Sequence, residues 1–223
     1  MELAQMLDIR RGVTAIIGSG GKTTLMYALA RELSRAARVI VCTTTHIFPP
    51  EHMPCLLSPT AEQVAQTLQH APVVCVGARS ESGKLIAPEL SFSVLCGLCD
   101  YVLVEADGSR RLPIKAHAPY EPVVPEEANQ TICVLGLSGL MKPIRESVHR
   151  PERYAADLGV DLDAVVTPEL AAAHLRLEAL HTRVFLNQAD TPEDRALGRR
   201  LADALSCPAC MGALERGEAA CLY

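Results

Sequence analysis

The chain has 223 residues, 49% of them hydrophobic, and a formal net charge of −5 at pH 7. That is enough apolar material for one sizeable α/β domain and too much for a disordered segment. Aromatic residues make up only 4%, with no Trp and no long Lys/Arg run, which argues against the stacking platforms and basic stripes of nucleic-acid binders.

In chain order, Val13–Ile17 ("VTAII") is a short apolar, β-branched run that predicts a buried strand. A glycine-rich turn follows, then a helix beginning near Lys22 with Leu25, Ala28, Leu29 and Leu33 at helical spacing. Arg38–Cys42 predicts a second strand, ending in "TTTHI". "TAEQVAQTLQ" predicts a helix opened by a capping box of Thr60 and Gln63. "PVVCVG" is a third strand, "SESGK" a turn and "PELSFSVLCGLC" a helix. Tyr101–Gly108 ("YVLVEADG") is the clearest buried strand. The Pro-rich stretch 112–125 excludes regular helix or central strand and predicts a long functional loop. "TICVLG" and "RVFLNQAD" complete a set of about six strands. A last helix starts with Thr191 as N-cap and Pro192 at its first position.

Strands alternating with helices predict an α/β fold with a mainly parallel sheet flanked by helices. One nucleotide-binding domain over 1–223 is expected. No apolar run reaches the length of a membrane span, and "MELAQMLDIRRG" lacks a signal-peptide layout, so a cytoplasmic protein is expected, with neither nucleic acid nor membrane as partner.

The first chemistry-bearing stretch is "GSGGKTT", Gly18 to Thr24, between a strand and a helix. A standard phosphate-binding loop, G-x-x-x-x-G-K-[ST], would want glycine where Ile16 stands. Gly18, Gly20 and Gly21 let the backbone turn tightly and bring N–H groups against oxyanions, with Ser19 and Thr24 in the same cradle. Lys22 supplies a charge for β- and γ-phosphates, and Thr23 a hydroxyl for Mg²⁺. The alternative is a glycine turn with a solvated lysine. A similarly shortened loop occurs in the Mur ligase group of P-loop proteins.

Glu105 and Asp107 end an apolar strand, where an open parallel sheet presents its catalytic groups. Either can hold Mg²⁺ or contact an attacking water, and a turn aspartate before Gly108 is the alternative for Asp107. Thr44, Thr45 and His46 end the second strand and are candidate substrate contacts, although threonine is also common in strands. "FLNQAD" resembles the N-K-x-D guanine motif, with Asn187 and Asp190 retained as candidate nucleotide contacts and Gln188 in place of Lys, a strand end followed by an aspartate turn being the alternative.

The chain has nine cysteines and no export signal to suggest disulfides. Cys96 with Cys99, and Cys207 with Cys210, have C-x-x-C spacing. A structural role in the core is the reading for both pairs, with a half zinc site or redox pair as the alternative for the second.

Together, "GSGGKTT", "TTTHIF", "VEADGSRRLPIKAHAPYEPVVP" and "LNQAD" resemble the family of selenium-dependent molybdenum hydroxylase accessory proteins, the YqeC type. "GKLIAP" and "VHRPE" share that likeness, and the E-A-D-G-S-x-x-x-P-I-K-A segment is its most specific part. The resemblance implies a P-loop NTPase-like fold and a role in maturing a selenium-dependent molybdenum hydroxylase, with that enzyme or its cofactor as partner. It also implies a basic loop contributed by Arg110, Arg111 and Lys115. Arg110 and Lys115 are then candidate contacts for a second, anionic substrate, a solvated lysine being the alternative for Lys115.

The expectation is a Mg²⁺-dependent protein that binds ATP or GTP and hydrolyses it or transfers from it, with Lys22, Glu105 and Asp107 as catalytic groups. The alternatives are a nucleotide-gated chaperone or delivery factor with little turnover, and a Mur-like ATP-dependent ligase.

Overall fold

The computed structural model describes residues 2–222. A short helix α1 (Leu3–Met6) precedes β1 (Gly12–Gly18), which continues one residue beyond the apolar run at each end. Next come α2 (Lys22–Leu33), β2 (Val39–Thr43), β3 (Cys55–Leu57), α3 (Ala61–His70), β4 (Val73–Arg79) and β5 (Leu85–Ile86). The middle of the chain forms α4 (Phe92–Leu98), β6 (Tyr101–Glu105), β7 (Ile114–Lys115), β8 (Ala128–Gly136), α5 (Ile144–Ser147) and β9 (Val148–His149). The last third contains α6 (Pro151–Leu158), α7 (Pro168–Glu178), β10 (Arg183–Asn187), α8 (Pro192–Asp203), β11 (Ala209–Ala213) and β12 (Glu218–Cys221).

Ten strands form one sheet, ordered β12-β11-β10-β8-β1-β6-β2-β4-β3, with β5 paired to β4. Its pairings are parallel except at β12 and β5, which lie antiparallel to β11 and β4. This is the expected α/β architecture with a large, mostly parallel sheet. The four strands beyond the expected set carry weak signals. β3 and β5 are three and two residues long, and β11 and β12 are rich in Ala, Gly and Cys rather than β-branched residues.

Both faces of the sheet are covered, so the central strands are buried at nearly every position rather than alternating. On β1, Ile16 packs with Leu25, Met26 and Leu29 of α2 on one face. Ala15 and Ile17 point the other way, into a cluster with Leu175 of α7 and Leu201 of α8. Ile40, Val102 and Val104 also lie on that second face, against Val64 and Leu68 of α3 and Leu95 of α4. A one-residue register slip would exchange these packing partners, which fixes where β1 ends and the glycine turn begins.

Both expected helix starts are capped. Thr60 and Gln63 form a reciprocal capping box on α3, and Thr191 and Asp194 form one on α8, with Pro192 in the first turn. The Pro-rich stretch contributes only β7, which pairs with β9 in a separate two-stranded sheet.

The two C-x-x-C pairs, Cys96 with Cys99 and Cys207 with Cys210, sit in or against the core, whereas Cys221 is exposed. Cys99 donates to the Leu95 carbonyl, and Cys210, in β11, donates to the Met6 carbonyl. Among the described residues no helix is long and apolar enough to cross a membrane.

Candidate functional site

β1 lies between β6 and β8, so the turn that ends it opens among the carboxyl ends of neighbouring parallel strands. Ile16 pairs with Glu105, and Glu105 also pairs with Thr43, which sets the ends of β1, β6 and β2 level. The turn needs glycine. Gly20 and Gly21 have φ of 90° and 121°, and a Cβ there would run into the Gly136 backbone and the Asn187 amide respectively.

Two N–H groups of the turn are used internally, Gly18 N–H by Asp107 Oδ2 at 2.7 Å and Ser19 N–H by the Val134 carbonyl at 2.8 Å. The N–H groups of Gly20 to Thr24 meet no acceptor among the described residues. The turn therefore presents consecutive free donors at the N-terminus of a twelve-residue helix, α2.

Lys22 is 4% exposed and lies against this cradle. Its Nζ donates to the Gly18 carbonyl at 2.8 Å and to Ser109 Oγ at 3.1 Å. It lies 3.1 Å from Asp107 Oδ1 and 3.7 Å from Glu105 Oε1. Thr23, the next residue, donates its hydroxyl to Glu105 Oε2 at 2.6 Å. Burial pushes the Glu105 carboxyl above its usual value, against the opposing pull of Lys22 and Thr23.

Asp107 is fully buried and lies just past β6, yet it meets the same lysine as Glu105. Its Oδ2 is taken up by Gly18 N–H, by His117 Nε2 at 2.7 Å and by Lys115 Nζ at 3.2 Å. Its Oδ1 has the Lys22 ammonium nearby but no aligned hydrogen bond. Burial works to raise this carboxyl, but His117, Lys22 and Lys115 together hold it down to about 2.

The support continues outward. His117 Nδ1 lies 2.8 Å from Glu178 Oε2 at the end of α7, and the His117 backbone N–H donates to Glu178 Oε1 at 2.6 Å. Burial disfavours charge on His117, but Asp107 and Glu178 outweigh it and raise its pKa. Lys115 is buried and bridges Asp107 to Glu121, 2.7 Å away, and Arg150 closes on the other side of Glu121 at 2.8 Å.

The remaining expected site residues divide into two groups. Thr44 and Thr45 are half-buried and His46 exposed, all on the wall of a groove that also contains Gly20 to Thr24. Thr44 additionally donates its hydroxyl to the Val123 carbonyl at 2.7 Å, tying β2 to the Pro-rich loop. Arg110 and Arg111 are exposed on the same groove. Asn187 braces the cradle from behind, its Nδ2 donating to the Gly20 carbonyl at 2.8 Å. Asp190 lies off the groove lining and pairs with Arg216 at 3.4 Å, while Gln188 is on the lining.

The groove has a volume of about 1550 Å³. It runs from Gln188 and Glu215 at one end, across the cradle, to Phe48 and Lys84 at the other. The "GKLIAP" and "VHRPE" segments, far apart in sequence, both reach it, through Lys84 and through Val148 to Glu152.

Sequence reasoning missed His117 and Glu178 as partners of Asp107. His117 stands inside the motif segment and had a signal there, whereas Glu178, at the end of α7, carries no motif and turns inward against His117 and His174.

A family model described as "YqeC protein" matches residues 14–152, which contain the cradle, both carboxylates and the Pro-rich loop. The chain belongs to the YqeC family. Its similarity to "Uncharacterized protein YqeC" of Escherichia coli (strain K12) is 34% identity over 165 residues, 70% of this chain and 64% of that relative. The chain thus matches just under two thirds of that relative's length. The family match ends shortly after α6 begins, so Glu178, Asn187 and Asp190 lie outside it.

Proposed function

We propose that this YqeC-family chain binds a nucleoside triphosphate, ATP or GTP, with Mg²⁺, over the cradle Gly18–Thr24, and hydrolyses it or transfers from it. The observation that carries the reading is the run of free N–H groups from Gly20 to Thr24 beside a buried ammonium, Lys22. A row of amide donors at a helix N-terminus, with a cation beside it, suits the oxygens of a polyphosphate.

The residues divide the work. The N–H groups of Gly20 to Thr24 bind and orient phosphoryl oxygens. Asp107, held by His117 and Lys115, keeps Lys22 aimed along the cradle and fixes Gly18. Thr23 and Glu105 form the oxygen pair that fits Mg²⁺, being adjacent and otherwise unclaimed except by Lys22. Asp107 has its Oδ2 fully engaged and serves the lysine rather than the metal. Bound Mg²⁺ neutralises charge on the phosphoryl oxygens. Asn187 supports the loop, and recognition of the base falls to the Gln188 end of the groove.

A second reading, a nucleotide-gated delivery factor, is favoured by one contact pair. Lys22 donates to Ser109, and Ser19 donates to the Leu112 carbonyl, so the cradle is latched to the 109–112 segment. Phosphate drawing Lys22 away would release one latch and reposition that segment. Under either reading the biological setting we propose is maturation of a selenium-dependent molybdenum hydroxylase, supported by the family likeness of the E-A-D-G-S-x-x-x-P-I-K-A segment.

Calorimetric titration with MgATP and MgGTP tests the binding. We expect saturable binding of one of them, weakened at least about tenfold by chelating Mg²⁺. No binding of either would overturn the reading. Turnover on the order of 1 s⁻¹ without a partner favours the enzyme, and far slower turnover favours the switch.

A further inference from the structure

The groove is larger than one nucleotide needs, since small-molecule sites usually fall between about 300 and 1,000 Å³. A nucleotide seated on the cradle leaves part of the groove open. Beyond the cradle itself, the groove lining includes Arg110, Arg111, Tyr120, His149 and Arg150.

Arg110 and Arg111 stand out there. They are consecutive non-glycine residues at φ of 48° and 63°, a left-handed conformation that costs about 1–2 kcal/mol at each residue. Strain of this kind persists where the surroundings impose it, and it concentrates at ligand-binding segments. Here the flanks are pinned. Ser109 is held by Lys22, and Leu112 by Ser19. Both guanidinium groups are exposed, and neither has a carboxylate partner among the described residues.

The neighbouring cations that do have partners are differently placed. Lys115 is buried between Asp107 and Glu121, and Arg150 is committed to Glu121 and lies over the Tyr120 ring at 5.7 Å. His149 reports the resulting field. Burial, Arg150, Lys115 and Arg110 depress its pKa to about 4, so at neutral pH it is an uncharged imidazole facing excess positive potential. On the groove as a whole, six Lys and Arg side chains face four carboxylates, in a chain whose net charge is −5.

We propose that Arg110 and Arg111 form a second anion subsite beside the cradle, which holds the phosphate group of a small phosphorylated co-substrate while the nucleotide is bound. Planar guanidinium forks match phosphate oxygens bidentately. His149 is available as a neutral hydrogen-bond partner, and Tyr120, 73% exposed, offers a flat surface to the rest of the molecule. Lys115 has no part in this contact. The proposal rests on the nucleotide reading only for the order of the two sites along the groove.

The test uses pyrophosphate as the probe and the full chain in three forms: wild type, Lys22→Ala, and Arg110→Asn with Arg111→Asn. Asparagine tolerates the left-handed conformation, so the double variant loses charge without added strain. With the cradle saturated by Mg-nucleotide, pyrophosphate should still bind the wild type, and at least tenfold more weakly the double variant. Nucleotide affinity of the double variant should stay within threefold of wild type. Pyrophosphate that competes with nucleotide, or binds the double variant as well as wild type, overturns the subsite. If no nucleotide binds any form, the nucleotide reading fails separately. The subsite then stands if pyrophosphate binding to the free chain is lost in the double variant and retained in Lys22→Ala, and falls if the reverse holds.

Discussion

At the scale of single residues, Asp107 is the group on which the site depends. It receives three positively polarised partners on Oδ2 and a fourth, Lys22, beside Oδ1, in a position with no solvent contact. Asp107→Asn leaves the buried Lys22 and Lys115 without their shared counter-charge. Removing one member of a buried charge network costs about 3–5 kcal/mol, so the urea midpoint should fall by a corresponding amount. Glu105→Gln is milder. Glu105 keeps one edge toward the groove, and burial already disfavours its charge, so it should lower Mg²⁺ dependence of binding with little loss of stability. The two acids of one motif thus separate into a structural hub and a groove-facing ligand, measurable as a stability change for one and a Mg²⁺ titration change for the other.

At the scale of elements, the chain is legible where local chemistry is strong. The β-branched runs of β1, β2, β4, β6, β8 and β10, and the capping boxes at Thr60 and Thr191, can be read directly from residue order. Thr60→Ala should cost about 1 kcal/mol in thermal or urea unfolding and leave nucleotide affinity unchanged, because α3 packs far from the cradle against Val74 and Val76. Strands β11 and β12 were not legible, since "ACMGA" and "EAAC" form strands through pairing with β10 and each other rather than by propensity. The same division holds in the site. Gly18 to Thr23, Glu105 and Asp107 carry a motif, whereas the pairing of His117 with Glu178 depends on α7 being packed under the sheet, a tertiary fact with no local signature. Lys115 reads as a loop lysine in sequence and is buried, because β7 pairs with β9 and turns it inward.

At the scale of the whole molecule, the buried network predicts how stability varies with pH. Asp107 has a folded pKa of about 2 against an ordinary 3.8, so its contribution, on the order of 2 kcal/mol, is present above that ordinary value and lost as pH falls toward 2. His117 is raised, so its contribution is complete below its ordinary value near 6.5 and lost as pH rises through the folded value. His149, His174 and His181 are lowered, which makes stability rise with pH through the acid side of neutrality. Urea midpoints should therefore peak near neutral pH, fall steeply below pH 4, and decline gently on the alkaline side. His117→Gln should lessen the decline just above neutrality. The decline at higher pH from buried groups such as Cys42, Cys99 and Tyr154, whose pKa values burial raises, should persist, as should the effect of the lowered histidines on the acid side.

The cradle, the carboxylate pair and the flanking groove all converge on Lys22. Its loss leaves Asp107 with His117, Lys115 and the Gly18 amide, which keeps the fold assembled. The most direct measurement is calorimetric binding of Mg-nucleotide to wild type and to Lys22→Ala at matched pH and salt. A charge-assisted contact of this kind contributes about 1.5–3 kcal/mol, so affinity should drop by roughly 10- to 150-fold. A Lys22→Ala chain that binds Mg-nucleotide as tightly as wild type would contradict the account.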